Sequence, residues 1–271
     1  MTQDPYILHP AQGKSVPIII SSPHSGTQFP DHLKHQYHPC WLTQPVDTDW
    51  YINKLYDFAP ALGITLIEAR YSRYLIDLNR NPENRALYTD GRYQSGLLPL
   101  QTFAGKKIYL PNFSPSEKEA QERLTLYYWP YYHQVKLIIK QLKEKYDHVL
   151  FFDAHSIKHS IPTISAQPFP AFILGDNHQQ AASPALTFQA LCTLQAQTQF
   201  SVSHNHPFTG GHLTRYFGAY LAGVHALQLE MCQCNYMDEI SLNYDREKSQ
   251  VVIKLLKKLF FQLISTLKAM Q

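Results

Sequence analysis

Short runs of apolar residues alternate with helical patterns along most of this chain. The run Val-Leu-Phe-Phe at 149–152 is too short for a separate helix and is typical of a strand buried on both faces of a sheet. Similar runs predict further strands, and the predicted strands cover residues 16–22, 64–69, 149–157, 171–174 and 225–231. Because strands and helices alternate, the pattern predicts an α/β fold with a central, mostly parallel sheet.

Helical periodicity and capping residues predict the intervening helices. They cover approximately residues 50–62, 115–145, 184–195 and 248–268. The first is expected to be capped by Asp47 or Thr48 and to end at Gly63. The second is expected to start with Ser114 as its N-cap and to be kinked at Pro130.

Three stretches fit neither pattern. Residues 71–79 mix strand character with charge, 81–115 contain many turn formers, and 204–218 form a predicted loop rich in glycine and histidine. A long irregular segment such as 81–115 is typical of a lid or a substrate loop. Since no repeat or linker is visible, residues 1–271 are predicted to form a single domain.

Composition and charge exclude several classes of protein. A net charge of +3 is small for 271 residues and gives no argument for nucleic-acid binding. The chain has no run of about 18 apolar residues that would span a membrane, and its N-terminus lacks the features of a signal peptide. Four cysteines do not suggest a disulfide scaffold, and Cys232 and Cys234 lack a second cysteine pair for a zinc cage. We therefore expect reduced thiols and a cytoplasmic protein.

Polar residues at predicted strand ends and helix starts carry the candidate chemistry. His24 follows the first strand, Asp153 and His155 end the third, and Asp47 and Asp49 precede the first helix. The carboxyl ends of parallel strands open onto a ligand crevice, and two imidazoles with a carboxylate form the ligand set of a catalytic zinc. Asp153 would orient His155 or act in catalysis. The alternatives are structural histidines and, for Asp47, a helix cap.

A group of two arginines and an asparagine is the second candidate. Arg73 and Asn79 lie within the unusual stretch at 71–79 that follows the second predicted strand, and Arg80 comes directly after it. One interpretation is that the guanidinium groups grip a substrate carboxylate with paired hydrogen bonds. The other is that they form ion pairs with Asp77 or Glu68.

Glu230 is a lone carboxylate in the apolar strand at 226–231. Near a metal it would be a suitable general base for water; the alternative is that it lies on a polar outer face of the sheet. The turn Gly210-Gly211 precedes the cation Arg215 and would suit a phosphate nest, but it lacks the lysine of a P-loop, which argues against nucleotide binding.

Six segments combine these candidates. They are Ser-Pro-His-Ser-Gly at 22–26, Asp-Thr-Asp-Trp at 47–50, Ala-Arg-Tyr-Ser-Arg-Tyr-Leu-Ile-Asp-Leu-Asn-Arg at 69–80, Asp-Ala-His-Ser at 153–156, Gly-Gly-His-Leu-Thr-Arg at 210–215 and Gly-Val-His-Ala-Leu-Gln-Leu-Glu-Met at 223–231. Together they resemble the N-formylglutamate amidohydrolase (N-formylglutamate deformylase) family. The resemblance implies a zinc-carboxypeptidase-like (phosphorylase/hydrolase-like) α/β fold. It also implies hydrolysis of N-formyl-L-glutamate to formate and glutamate during histidine degradation.

The resemblance further implies roles at a metal site. His24 and His155 look like the two histidine ligands of one Zn²⁺ per chain, with Asp49 as the carboxylate ligand and Asp47 as the second choice. Glu230 looks like the catalytic glutamate of the related zinc carboxypeptidases and aspartoacylases.

The substrate implied by the resemblance is a small dicarboxylate. Asn79 and Arg80 look like the pair that binds a substrate carboxylate, and Arg73 and Arg215 are expected to assist them. The chain departs from the family pattern where Tyr216, in place of a histidine, follows Arg215. The acyl amino acid that is hydrolysed therefore stays open.

Two other functions stay open beside this one. The sequence Asp-Ala-His at 153–155 is similar to a two-metal motif of ureohydrolases, but Ile157 stands where that motif requires a second aspartate. A non-catalytic protein that binds a metal or an amino acid would keep the histidines and arginines without needing Glu230. The sequence leaves the oligomeric state and the metal bound in the cell undetermined.

Overall fold

The strands of this protein lie in one mixed sheet. The structure is a computed structural model and describes residues 3–89 and 91–271. The strands are β1 (Tyr6–His9), β2 (Ile18–Ser22), β3 (Thr65–Ala69), β4 (Val149–Ile157), β5 (Phe172–Gly175), β6 (Val202–His204) and β7 (Val224–Cys232). The helices are α1 (Pro39–Thr43), α2 (Ile52–Leu55), α3 (Glu117–Arg123), α4 (Trp129–Lys143), α5 (Pro184–Gln195), α6 (His212–Gly218) and α7 (Arg246–Met270). In the part described, no helix is both long and apolar enough to cross a membrane.

The predicted α/β fold with a mostly parallel sheet is confirmed. The strand order is β1-β3-β2-β4-β7-β5-β6, and the central strands β3, β2, β4 and β7 run parallel. β1 is antiparallel to β3 at one edge, and β5 is antiparallel to β7 toward the other. β4 pairs with β7 along all nine of its residues, and every residue of β4 is buried. The carboxyl ends of β2, β4 and β7 are therefore held side by side by the core.

Helices cover both faces of the sheet, which explains why the central strands read as unbroken apolar runs. On one face Phe152 packs against Phe260 of α7, with ring centroids 4.8 Å apart. On the other face Phe151 packs against Phe217 of α6, at 4.5 Å. Because successive side chains alternate between faces, the odd-numbered residues at the end of β4, including Asp153, are directed to the α4 and α6 face.

Most of the predicted first helix, at 50–62, is not helical in the structure, so this prediction is mostly wrong. Only α2 and a 3₁₀ turn, Pro60–Leu62, are helical in this region. The residue before α2 is Tyr51, which has a φ of 62° and provides no side-chain cap, so neither Asp47 nor Thr48 caps the helix. Gly63 does end the region, with a φ of 80° that suits glycine.

The predicted second helix begins two residues later than expected. Ser116, not Ser114, is the N-cap, and its hydroxyl accepts a hydrogen bond from the backbone N–H of Glu119. A π-helical turn, Leu124–Tyr128, separates α3 from α4, and Pro130 lies in the first turn of α4. The irregularity near this proline is therefore a widened turn.

Two short strands, β1 and β6, and two short helices, α1 and α6, were not predicted. β1 has four residues and β6 has three, and all are only half-buried, so neither leaves a clear apolar pattern. The predicted loop at 204–218 contains α6. Residues 71–79, whose strand character is mixed with charge, form turns and irregular backbone, and within them Tyr71 alone makes a bridge, to Gln28.

A buried carboxylate, Asp176, holds together the loop that follows β5. Its oxygens accept hydrogen bonds from Asn205 Nδ2 at 2.7 Å, Thr187 Oγ1 at 2.8 Å and the backbone N–H of Gln179 at 2.9 Å. Burial alone would raise the pKa of Asp176, but these hydrogen bonds outweigh it and lower that pKa below its usual value.

Asp176→Asn is expected to lower the free energy of unfolding by about 2 kcal/mol at pH 7, because charge-assisted hydrogen bonds are lost. Since the folded-state pKa is depressed, the effect is fully present above the unfolded pKa of about 4 and disappears as the pH falls through the folded pKa. Urea denaturation across this pH range measures the difference. Asp57→Asn, at an exposed carboxylate, is the control, and a difference that persists at low pH would contradict the assignment.

Candidate active site

Three predicted metal ligands meet at the carboxyl edge of the sheet. The ligand atoms of His24, Asp49 and His155 all lie within 4.8 Å of one another, and the three residues are buried. Asp49 Oδ2 is 3.8 Å from His24 Nδ1 and 3.0 Å from His155 Nδ1. Zinc–ligand bonds of about 2.1 Å at tetrahedral angles place two ligand atoms about 3.4 Å apart. The two distances lie on either side of this value, so the group fits a zinc ion.

Local hydrogen bonds bring these ligands together. His24 lies in the turn after β2, and its backbone carbonyl accepts a hydrogen bond from the backbone N–H of Asp49 at 3.0 Å. The backbone N–H of Ser156, in β4, donates to Asp49 Oδ2 at 3.0 Å. The loop that carries Asp49 is thus attached to both neighbouring strands.

Each histidine has a carboxylate at its other ring nitrogen. Asp77 Oδ1 is 2.7 Å from His24 Nε2, and Asp153 Oδ1 is 3.0 Å from His155 Nε2. The contact of Asp77 is a hydrogen bond, whereas that of Asp153 is a close ion pair without hydrogen-bond geometry; both leave Nδ1 directed at the ligand group. The geometry suits the orienting role predicted for Asp153. The same role for Asp77 was missed, because the sequence linked Asp77 only to the arginines.

The charges at the site favour a bound cation. Burial, followed by the nearby Arg73, lowers the pKa of His24. Burial would also lower the pKa of His155, but Asp153 and Asp49 outweigh this effect and raise that pKa well above its usual value. A divalent cation would offset the same carboxylate charge that otherwise holds a proton on this imidazole.

Asp47, the second choice for the carboxylate ligand, lies outside the ligand group. Its Oδ2 accepts hydrogen bonds from Tyr74 Oη and from the backbone N–H of Phe103, both at 2.9 Å. Asp47 therefore anchors the irregular segment that contains Phe103. Asp49 is the aspartate of the pair that faces both histidines.

Arg73 forms the ion pair that was the alternative to substrate binding. Its Nη2 donates to Asp77 Oδ2 at 2.7 Å, and its Nη1 donates to the backbone carbonyl of Asp47 at 3.4 Å. Glu68, the other suggested partner, instead lies 2.7 Å from His9 Nε2. Arg73 also lines the cavity described below, so a direct contact with substrate stays a prediction.

Glu230 faces the metal-ligand group from the neighbouring strand. It is paired in register with His155 and is buried, so the interpretation as part of a polar outer face is wrong. Burial raises the pKa of Glu230 to about 8, with His155 opposing the shift and Asp49 adding to it. Gln228 Nε2 donates to one carboxylate oxygen at 3.3 Å. A carboxylate with a raised pKa is suited to proton transfer near neutral pH.

A cavity of about 650 Å³, open mouth included, adjoins these residues. Its lining residues are His24, Asp49, Arg73, Asn79, Arg80, Leu87, Tyr88, Arg92, Tyr93, Gln94, Phe103, His155, Ser156, Ile157, Ile164, Phe208, Gly211, Gln228 and Glu230. Part of the wall comes from the predicted substrate loop, although its individual side chains were not predicted: these include Leu87, Tyr88, Arg92, Tyr93 and Gln94. Arg92 is the most notable of these. Its guanidinium lies 4.3 Å from the ring centroid of Tyr88.

The predicted substrate-binding residues are not all in this cavity. Asn79 and Arg80 line it, and Asn79 Nδ2 lies 3.1 Å from His155 Nε2. Arg215 is not among the described lining residues. Its side chain donates to the backbone carbonyl of Gly210 at 3.1 Å and to Thr209 Oγ1 at 3.0 Å. A direct role for Arg215 in binding therefore stays a prediction.

The glycine turn and the departure at Tyr216 also have structural explanations. Gly211 lies so close to the side chain of Asn79 that a Cβ there would collide with it. The backbone N–H of Gly211 donates to Gln228 Oε1 at 2.6 Å. The glycine turn therefore contacts two residues of the cavity wall, Asn79 and Gln228. Tyr216 packs against Tyr132, with ring centroids 5.3 Å apart, and is not among the described residues of the cavity wall.

Comparisons with known proteins show the family of this chain and its fold. The sequence profile of N-formylglutamate amidohydrolase matches residues 16–237. The chain is 36% identical over 228 residues to an N-formylglutamate deformylase of Pseudomonas aeruginosa, which covers 83% of each chain. It is 33% identical over 255 residues to one of Pseudomonas putida, which covers 94% of each. The crystal structure of N-formylglutamate amidohydrolase from Ralstonia eutropha JMP134 superposes with a TM-score of 0.84 at 22% identity, covering 99% of this chain and 100% of the other. The chain therefore belongs to the N-formylglutamate amidohydrolase family.

Proposed function

We propose that this protein hydrolyses N-formyl-L-glutamate to formate and L-glutamate, as a zinc enzyme with one catalytic Zn²⁺ per chain. The observation that carries the proposal is the buried group of His24, Asp49 and His155, which faces Glu230 across one cavity. The names of the two Pseudomonas relatives support the choice of substrate. Such an activity suits a role in histidine degradation.

The residues of the site have three roles in hydrolysis: metal binding, proton transfer and the positioning of other side chains. His24, Asp49 and His155 would hold the cation, and bound zinc supplies Lewis-acid polarisation and a lower pKa for water. Glu230 accepts a proton from the water that attacks the formyl carbon. It then delivers this proton to the amide nitrogen as the carbon–nitrogen bond breaks. Asp153 keeps the imidazole of His155 in position through its contact at 3.0 Å.

Arginine and asparagine side chains in the cavity would bind the two carboxylates of the substrate. Arg80 is partly exposed, and its guanidinium is oriented by hydrogen bonds to the backbone carbonyl and the hydroxyl of Ser95 at 2.8 and 3.0 Å. Asn79 is fixed by the backbone N–H of Leu213, which donates to its Oδ1 at 2.8 Å. Side chains held in this way position a substrate as well as bind it.

Arg80→Lys is expected to raise KM for N-formyl-L-glutamate by about tenfold with a smaller change in kcat, because lysine keeps the charge but loses the planar fork of donors. Steady-state kinetics measure both constants. Arg215→Lys is the matched comparison, since Arg215 is assigned the same role by sequence but does not line the cavity as described. If Arg215→Lys changed KM more than Arg80→Lys does, the assignment to Arg80 would be wrong.

The decisive experiment measures the metal content of the purified protein and formate release from N-formyl-L-glutamate before and after chelation. About one zinc per chain at this site, with turnover that is lost on chelation and restored by zinc, is the expected result. Zinc without turnover would leave another N-acyl amino acid as the substrate. If no metal were found, and His24→Ala and His155→Ala behaved like the unmodified protein, the proposal would fail.

A further inference from the structure

A second group of metal-ligating side chains lies beyond the candidate active site. Ile157 and Cys232 are paired in register two residues past the pair of His155 and Glu230. His159 follows the end of β4, and Cys234 lies in the 3₁₀ turn after β7. A ring nitrogen of His159 and the two Sγ atoms all lie within 4.8 Å of one another. The fold thus places His159 beside the two cysteines as a possible third ligand, although it is 73 residues away from Cys232 in the sequence.

The spacing of this cluster suits a tetrahedral metal ion. Cys232 Sγ is 3.8 Å from His159 Nδ1. Bond lengths of about 2.3 Å to sulfur and about 2.0 Å to nitrogen, at tetrahedral angles, place these two ligand atoms about 3.6 Å apart. The observed separation is close to this value, so little movement of the side chains is needed.

The backbone of the cluster is held in place by a carboxylate. Glu239 Oε1 accepts hydrogen bonds from the backbone N–H of His159 at 2.7 Å and from that of Cys234 at 3.0 Å. A single oxygen therefore joins the two segments that carry these residues. Asn235 Nδ2 donates to the backbone carbonyl of Ala171 at 2.8 Å, which attaches the turn to the start of β5. This organisation precedes any metal and reduces the conformational entropy lost on binding.

We propose that His159, Cys232 and Cys234 form a second metal site, which binds a thiophilic cation such as Zn²⁺ separately from the His24, Asp49 and His155 group. Two sulfur ligands select zinc and similar cations over Mg²⁺ or Ca²⁺. Three protein ligands leave a fourth position for water, and the exposure of His159 gives the cation access from solvent. The sequence argued against a zinc cage because it shows no second cysteine pair, and the fold supplies an imidazole instead.

The position of the site suggests what a bound cation would stabilise. Cys232 belongs to a small buried cluster with Ile157, Ile161 and Phe169, against which Ile164 and Phe208 pack. Ile157, Ile164 and Phe208 also line the cavity. A cation that joins His159 to the end of β7 would therefore fix the segment that carries one wall of the cavity.

Cobalt loading of the reduced, metal-free protein tests this proposal without relying on turnover. Only a site with thiolate ligands gives a sulfur-to-cobalt charge-transfer band in the near ultraviolet, and the His24 group contains no sulfur. We expect this band to appear and to saturate with one equivalent of Co²⁺ beyond that bound by the first site. We also expect His24→Ala to keep the band, so that failure of the first site and failure of the second can be distinguished.

Variants then assign the ligands. Cys234→Ser and His159→Ala are each expected to weaken or remove the band, and because His159 is exposed its variant is the safer one for folding. Cys192→Ser and Cys40→Ser, at exposed thiols outside the cluster, are the controls and should keep it. No band in the fully reduced protein, or a band unchanged in both His159→Ala and Cys234→Ser, would overturn the proposal. A band lost only in Cys234→Ser would overturn the three-ligand assignment.

Discussion

Glu230→Gln is expected to lower kcat for hydrolysis of N-formyl-L-glutamate by about a thousandfold while zinc remains bound. Glutamine has nearly the same shape as glutamate and keeps a hydrogen-bonding oxygen, but it cannot accept and return a proton. General acid–base groups of this kind contribute about 10²- to 10⁴-fold to the rate. Glu230 lies in the cavity and is not part of the metal-ligand group, so the cation should be retained.

Formate release and metal content, measured on the same sample, check this prediction. Glu68→Gln is a suitable control, because it alters another buried carboxylate of the sheet that faces His9 and not the cavity. Near-full turnover in Glu230→Gln would show that another group is the base. If the unmodified protein itself bound zinc but hydrolysed no N-acyl amino acid, the non-catalytic binding function would be favoured instead.

Asp77→Asn is expected to lower the free energy of unfolding by about 3 kcal/mol and to weaken zinc binding by about tenfold or more. Asp77 contacts Arg73 Nη2 and His24 Nε2, each at 2.7 Å, and all three side chains are buried. Burial would raise the pKa of Asp77, but Arg73 and Arg80 outweigh it and hold that pKa well below its usual value. Removing the charge leaves a buried guanidinium without its closest acidic partner.

Urea denaturation and metal titration of the same variant measure the two effects. Asp31→Asn is the control for stability, since Asp31 forms a contact of similar length, 2.6 Å to Lys34 Nζ, on the exposed surface. Such exposed pairs contribute little to stability, so we expect almost no change. Equal effects of Asp77→Asn and Asp31→Asn on stability would contradict the structural importance of the buried network.

Features that depend on neighbouring residues in the chain were predictable from the sequence. The strand at 149–157 was predicted from its apolar start at 149–152, because a strand buried on both faces of a sheet typically begins as such a run, and the polar residues that follow are buried as part of the same strand. Its end places His155 at the edge of the sheet, and the parallel order places His24 beside it. The helix at 184–195 was also predicted correctly, since Pro184 and the preceding Ser183 mark its start.

Features that depend on contacts between distant segments were decided only by the tertiary structure. The resemblance ranked Asp49 above Asp47, but only the structure shows why: the backbone N–H of Asp49 donates to the His24 carbonyl and holds this aspartate beside both histidines. The contact of Asp77 with His24 joins residues 53 positions apart, and Asp77 lies in a stretch of turns and irregular backbone. In the same way, His159 meets Cys232 because β4 and β7 are paired. Local patterns determine which segments become strands, whereas the packing of those strands determines which side chains meet at their ends.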